Sequence, residues 1–259
     1  MEFEHKVSKG SRFNQIYIPK EMKSVFEVGD IVKVKLLKKK TEIYYSENLL
    51  KLEDFKEKLI KEIFSHLSIF PEIKQMFIVG SFLIEKVDYN DIDLIIITDK
   101  KQENLEEKIY DYLIKKLQLK FHIIVIPENS FLDLLKVCPL TRSMFYYCIS
   151  DKKFDLPKNI MLDKNHIKFL LMMPEDLLKI TANSRLFYDN IRRLITINQF
   201  LENKDLNPVK INVRLKSLLG DYLYSQIKNN EPIDEIVIKR LRENIKENLN
   251  KIQKNLKDK

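Results

Sequence analysis

The spacing of apolar positions changes along the chain, and three segments follow from it. In the first, alternation dominates. His5 to Lys9 predicts a strand, Gly10 and Ser11 a turn, and Gln15 to Ile18 a second strand. Pro19 closes that strand and opens a short helix over 20–26. Gly29 and Asp30 then turn the chain into a clean alternating strand, Ile31 to Leu36, with Thr41 to Tyr45 pairing back on it. In the second segment, helical stripes and short apolar runs take turns. Positions 52, 55, 59, 60, 63, 64 and 67 share one helix face, and Pro71 follows that helix. Met76 to Val79 is a short buried strand, and Leu94 to Ile97 a second. Leu105, Ile109, Tyr112, Leu113 and Leu117 mark another amphipathic helix, and Lys120 to Ile126 a third strand ended by Pro127. A helix, a break at Pro139 and a helix fill 130–150.

In the third segment only the helical period remains. Pro157 and its polar neighbours read as a linker. After Pro174 the pattern predicts one long or two abutting helices to Leu201, then helices over 208–227 and 232–256. These make a three- or four-helix bundle. The expected architecture is a multi-domain α+β chain. It has a small β module at 1–47, an α/β core with a small mixed sheet at 48–150, and a helical domain at 151–259.

Composition narrows the function classes. No apolar run approaches the roughly 20 residues a membrane span needs, and residues 1–5 resemble no secretion signal. Cys138 and Cys148 stand ten apart, and His5, His66, His122 and His166 are scattered, which excludes a compact zinc site. A reduced, cytoplasmic protein is the expectation. The net charge of +8 is uneven. Residues 1–47 carry 10 basic and 7 acidic groups, 48–150 carry 14 and 16, and 151–259 carry 22 and 15. Basic flanks suit nucleic acid or nucleotide phosphates, and Lys-rich solvated helices account for them equally well.

The chemistry concentrates between 76 and 97. Gly80 permits a tight turn and close approach of a ligand to the backbone. Ser81 offers a hydroxyl, and its amide opens a following helix whose first N–H groups would seat a phosphate. Asp91 and Asp93 sit two apart at the start of the next apolar run, so alternation puts both carboxylates on one face. Adjacent carboxylates repel unless a cation lies between them, and hard ions such as Mg2+ prefer these oxygens, with water and phosphate completing the shell.

At these residues the chain resembles the nucleotidyltransferase superfamily that includes DNA polymerase beta, in its minimal form. Gly80, Ser81, Asp91 and Asp93 match its apolar strand, Gly-Ser turn and Asp-x-Asp strand. The resemblance implies a nucleoside triphosphate substrate and Mg2+ or Mn2+ held by Asp91 and Asp93. The family's third carboxylate is replaced in the matching region by His122. That residue reads as a ligand for a softer ion, as a base, or as a strand residue with no chemical role. Glu128, past the strand end, is another candidate. The arginine that commonly follows the family's serine is absent. Phe82, Leu83 and Ile84 stand there, leaving Lys86 to serve the phosphates. Arg142 reads as reaching a triphosphate or as a surface ion pair. Arg185, Asp189 and Arg193 form an i, i+4, i+8 ladder on an exposed face; alternatively Arg192, Arg193 and Arg214 suit an acceptor such as RNA or a nucleotide.

The first segment resembles the AbrB/MazE-like swapped-hairpin domain through Gly10, Arg12, the box from Ile16 to Glu21, and Gly29 to Val32 with its alternating continuation. That resemblance implies a DNA-binding homodimer, with Lys6, Lys9 and Arg12 on DNA phosphates. Tyr17 and Phe26 are core candidates there. A hairpin unit this small buries little core alone. Three functions remain: a nucleotidyltransferase coupled to a DNA-binding domain, a non-catalytic DNA-binding regulator that senses a nucleotide, and an antitoxin-like protein.

Overall fold

A computed structural model describes residues 3–35, 40–49, 51–84, 89–180 and 182–258. The chain divides into two compact units, Met1–Leu37 and Lys38–Lys259.

The first unit holds a minimal antiparallel hairpin. Strand β1 (Ser8–Lys9) pairs with β2 (Asn14–Gln15), Ser8 opposite Gln15. The short helix expected over 20–26 is one 3-10 turn, Lys20–Met22, behind Pro19. The alternating stretch from Ile31 forms no strand over 31–35, and Leu36 lies outside the described residues. A strand needs a neighbour for its ladder, and the described residues of this unit supply none to that stretch. The consequence is an open apolar surface. Val7, Phe13, Tyr17, Val28, Ile31 and Val34 are each more than half exposed. Tyr17 is therefore not core here, whereas Phe26 packs edge-on against Phe3 with ring centroids 5.4 Å apart.

The second unit is built on a five-stranded mixed sheet. In chain order its first elements are β3 (Tyr44–Tyr45), helix α1 (Asp54–Leu67), β4 (Ile73–Val79), β5 (Ile92–Thr98) and α2 (Leu105–Leu117). There follow β6 (Phe121–Pro127), α3 (Glu128–Val137), α4 (Pro139–Met144) and β7 (Ile149–Ser150). The strand order is β3-β7-β4-β5-β6. β4 and β5 run antiparallel, and β5 and β6 parallel through the α2 crossover. Tyr44 and Tyr45, expected to pair inside the first segment, instead pair with β7 at the sheet edge.

Alternation sends β4 and β5 side chains to two cores. Met76, Ile78, Ile92, Leu94 and Ile96 pack with Ile60, Ile63 and Phe64 of α1 and Ile109 and Leu113 of α2. Phe77, Val79, Ile95 and Ile97 pack on the other face with Phe131 and Leu135 of α3 and with Phe145. There Phe77 meets the rings of Phe154, Phe145 and Phe131 at 4.8, 5.1 and 5.4 Å.

Helices α5 (Lys164–Leu177), α6 (Ser184–Leu201), α7 (Pro208–Leu219), α8 (Asp221–Lys228) and α9 (Glu235–Asp258) complete the unit. Helix α6 is buried along most of its length and packs against α4, α5, α7, α8 and α9. Side chains of Asp163, Asn183 and Asn207 cap α5, α6 and α7 by accepting their first free amides. Helix α5 was not anticipated, because Pro174 reads as a beginning and here lies in the helix's final turns. Proline removes one backbone donor. The carbonyl it leaves without that donor, Leu170, receives Arg193 Nη1 at 3.5 Å. Of the Arg185, Asp189 and Arg193 ladder only the first pair is within ion-pair distance, at 3.4 Å. Arg193 is half-buried, and the charge of Asp189 acts on it without a direct contact. The helix expected over 208–227 breaks at Gly220, where φ is 80°.

The bundle shares its core with the sheet layer. Cys138, Leu134 and Leu140 pack with the helical cluster, and Ser143 donates to the Leu206 carbonyl at 2.9 Å. Among the described residues, no helix is long and apolar enough to cross a membrane.

Candidate active site

The site lies where three neighbouring strands meet at one end of the sheet. β4 is fully buried from Met76 to Val79 and runs into Gly80, whose φ of 82° and ψ of −161° suit only glycine. Crowding imposes glycine a second time, because a Cβ at position 80 would collide with Oδ2 of Asp93. Ser81–Leu83 then makes a single 3-10 turn, closed by Leu83 N–H to Gly80 O at 3.3 Å and Ile84 N–H to Ser81 O at 3.0 Å. The expected helix is therefore one turn long. Phe82 and Leu83 are buried apolar anchors, and Ile84 is already extended. The turn's own bonds leave the amides of Ser81 and Phe82 without partners inside it.

Register supplies the rest. Val79 stands opposite Asp93 across the antiparallel pair, and Asp93 opposite His122 across the parallel one. Asp93 shares its face with Ile95 and Ile97, at the uncovered end of the core under α3. His122 Nδ1 lies 3.0 Å from Asp93 Oδ1. The aspartate side chain is 28% exposed and the histidine 60%. Burial pushes the Asp93 carboxyl above its ordinary value, and the charge of Asp91 pushes the same way, against the His122 hydrogen bond. Asp91 itself lies half-buried in the bend before β5. Ile92, between them, goes into the opposite core.

Gly80, Asp93 and His122 thus come together, Ser81 follows Gly80 directly, and Asp91 is close enough to repel Asp93. Lys86 lies outside the described residues. Glu128 does not join the group. Thr98 and Pro127 mark the far end of the sheet, and there Glu128 pairs with Lys74, which also holds Asp99 at 3.2 Å. Among the described residues, Arg142 pairs with no carboxylate. Its guanidinium donates to the carbonyls of Leu135 at 2.8 Å and Pro157 at 3.0 Å, and burial lowers its pKa. Lys6, Lys9 and Arg12 are exposed in the first unit around the β1–β2 hairpin.

One residue escaped the sequence. Lys56 of α1 is only 5% exposed. Its ammonium lies over the ring of Phe82, 5.5 Å from the centroid, and over that of Tyr89 at 5.6 Å. Its position was legible: Leu52, Lys56, Ile60, Ile63 and Leu67 trace the buried stripe, whereas Phe55, expected inward, is 52% exposed.

Among the described residues, no group of three or more His, Cys, Asp and Glu side chains is arranged to hold a metal ion. The two carboxylates nonetheless form an all-oxygen donor set in which the charge of Asp91 disfavours that of Asp93. That set fits a hard divalent ion that completes its shell from phosphate and water.

Residues 57–146 match the nucleotidyltransferase domain family. The nucleotidyltransferase match runs from the first turn of α1 to just past α4, so β4, β5 and β6 lie inside it with Gly80, Ser81, Asp91, Asp93 and His122. The first unit and helices α5–α9 lie outside the nucleotidyltransferase span. No curated protein matches the chain.

Proposed function

We propose that the second unit transfers a nucleoside monophosphate from a nucleoside triphosphate to an acceptor hydroxyl. The observation that carries this reading is the convergence of Gly80, Asp93 and His122 at one sheet end, inside a nucleotidyltransferase match. The Ser81 hydroxyl and the first amides of its turn seat the outer phosphates. Lys86 is a further candidate for those phosphates. Asp91 and Asp93 hold Mg2+ or Mn2+, which supplies charge neutralisation for the polyphosphate when bound.

The His122–Asp93 contact supports one route for the proton. With Nδ1–H donating to the aspartate, the free lone pair of His122 is on Nε2. The acceptor's oxygen attacks the α-phosphorus, its proton passes to Nε2, and the bond to the leaving pyrophosphate breaks. Asp93 keeps the imidazole in that tautomer.

The test is incubation with each labelled triphosphate and Mg2+ or Mn2+, following label into product. Asp91→Asn is expected to abolish transfer, and His122→Gln to slow it by about 10²-fold or more. Unchanged transfer in Asp91→Asn would overturn the site.

The first unit we read as a swapped-hairpin module that pairs with a second copy and places Lys6, Lys9 and Arg12 on DNA. Its open apolar side chains support the pairing. A salt-sensitive gel shift lost on replacing those three residues tests the DNA contact. The histidine at the third-carboxylate position favours a second reading, a regulator that binds nucleotide without turnover. Nucleotide-dependent operator binding with no labelled product would select it.

A further inference from the structure

A tyrosine on the strand beside the phosphate turn has its hydroxyl already oriented. β7 runs antiparallel to β4, with Phe77 opposite Ser150 and Ile78 opposite Ile149. Two residues beyond that last rung stand Gly80 on one chain and Tyr147 on the other. Ser46 keeps the second chain in line as far as Cys148, whose carbonyl accepts from Ser46 N–H at 2.9 Å and whose N–H donates to Ser46 Oγ at 3.1 Å. Tyr147 therefore leaves the sheet at the same end as Gly80, on the neighbouring strand. The phenol is held from the start of α7. Asn207 is only 9% exposed, and its Nδ2 donates to the Tyr147 oxygen at 3.1 Å. This amide cannot be turned over, because its Oδ1 accepts the backbone N–H groups of Val209 at 2.8 Å and Lys210 at 3.3 Å. With Asn207 donating, the phenol oxygen is the acceptor of that bond, and its own proton is left to donate elsewhere. The adjacent Tyr146 differs, since its hydroxyl donates to Asp205 Oδ2 at 3.3 Å. Tyr147 falls one residue past the span that matches the nucleotidyltransferase family and Asn207 well beyond it, so that match says nothing of either.

We propose that Tyr147 binds the outer phosphates of the nucleotide through this proton, and that Asn207 is the positioning residue that aims it. The inference rests on the nucleotide-binding reading above. Across the sheet end the order is Tyr147, the Ser81 turn, Asp93 and His122, at the ends of β7, β4, β5 and β6. The acceptor enters at His122, and an in-line displacement sends the leaving pyrophosphate the opposite way. That direction runs from Asp93 over the Ser81 turn towards Tyr147. The helical layer that carries Asn207 packs behind α3 and α4, on the face of the sheet where Asp93 lies. A phenol suits this place: it makes a charge-assisted bond to a phosphate oxygen and adds no fixed charge of its own.

The experiment titrates inorganic tripolyphosphate with Mg2+ into the full chain and its variants by calorimetry, with a thermal melt of each. Wild type is expected to bind. Tyr147→Phe keeps the ring and loses the donor, and should bind at least about tenfold more weakly, with a midpoint within a few degrees of wild type. Tyr146→Phe should bind as wild type does. Asn207→Asp separates aiming from capping. Aspartate caps a helix as well as asparagine does, but it accepts the phenol's proton instead of donating to its oxygen, so binding should fall about as far as in Tyr147→Phe. In a Tyr147→Phe background the same change should cost less than about a further twofold. Wild-type affinity in Tyr147→Phe overturns the proposal and leaves the phosphate turn standing. An Asn207→Asp loss of equal size in both backgrounds overturns the aiming role, because it then reports the added charge alone. If tripolyphosphate does not bind wild type, the nucleotide reading of the turn falls, and this proposal with it.

Discussion

Replacing Gly80 with alanine separates two costs that the structure imposes on one position. The first is conformational: at φ 82° and ψ −161°, an L-residue carries about 1–3 kcal/mol of strain. The second is the collision of the new Cβ with Asp93 Oδ2. The carboxylate must swing away, and it gives up the 3.0 Å bond to His122. That bond is partly solvated, so its loss adds about 1 kcal/mol rather than the full charged-bond figure. The total is about 2–4 kcal/mol. At roughly 2–4 °C per kcal/mol for a unit of this size, the midpoint should fall by about 5–15 °C. Gly220 is the internal control. Its φ is 80°, yet no atom lies within 4 Å of a Cβ built there. Gly220→Ala should therefore show the strain alone, about 1–3 kcal/mol. Thermal melts of both variants, with and without a nucleoside triphosphate, make the comparison. Gly80→Ala should also lose protection by nucleotide, and Gly220→Ala should keep it. Equal losses in stability, or nucleotide protection intact in Gly80→Ala, refute the claim that Asp93 and the turn are interlocked.

Asp93 predicts a pH effect with a definite sign. Its carboxyl is raised in the folded protein, chiefly by burial, so between the unfolded and folded values the native state holds more protons. Its contribution therefore lowers stability as pH rises through that window, and Asp93→Asn should melt above wild type at pH 7 while losing nucleotidyl transfer; a lower midpoint refutes the burial argument. Transfer by wild type should fall on acidification at a pH above the ordinary aspartate range, read from rate profiles. Arg142→Met should cost about 1–3 kcal/mol by orphaning the carbonyls of Leu135 and Pro157, with nucleotide affinity unchanged, measured by denaturant titration and ligand-induced melting.

Much of the second unit was legible because its patterns are local and strong. The runs at Met76–Val79 and Leu94–Ile97 became β4 and β5, and the period from 105 to 117 became α2. The spacing marked the Gly80 turn and the Asp91 and Asp93 strand start, whereas the close approach of Gly80 to Asp93 came from the antiparallel register. What escaped depended on tertiary partners. Thr41 to Tyr45 carries strand propensity but no indication of its mate, and the mate proved to be β7. Pro174 marks a helix boundary in isolation, yet here a helix runs through it, and Arg193 takes up the Leu170 carbonyl that proline deprives of its donor. Lys56 was passed over because lysine at an inward position contradicts its hydropathy, and its ammonium lies over the rings of Phe82 and Tyr89. Ile31 to Val34 alternates cleanly and forms no strand, since alternation describes a face and not the neighbour that face requires.

The sheet's connectivity also sets an order of assembly. β4, β5 and β6 occupy one continuous stretch, 73–127, with a single helix between the last two. Everything that brings Asp93 beside Gly80 and His122 is thus available once that stretch has left the ribosome. The outer edge is different: Tyr44 finds Ser150 only after more than a hundred intervening residues have been made. During synthesis, the growing chain acquires its chemical centre before its border strand is sealed. In that interval the flank of β4 that later receives β7 is an unpaired edge open to wrong partners.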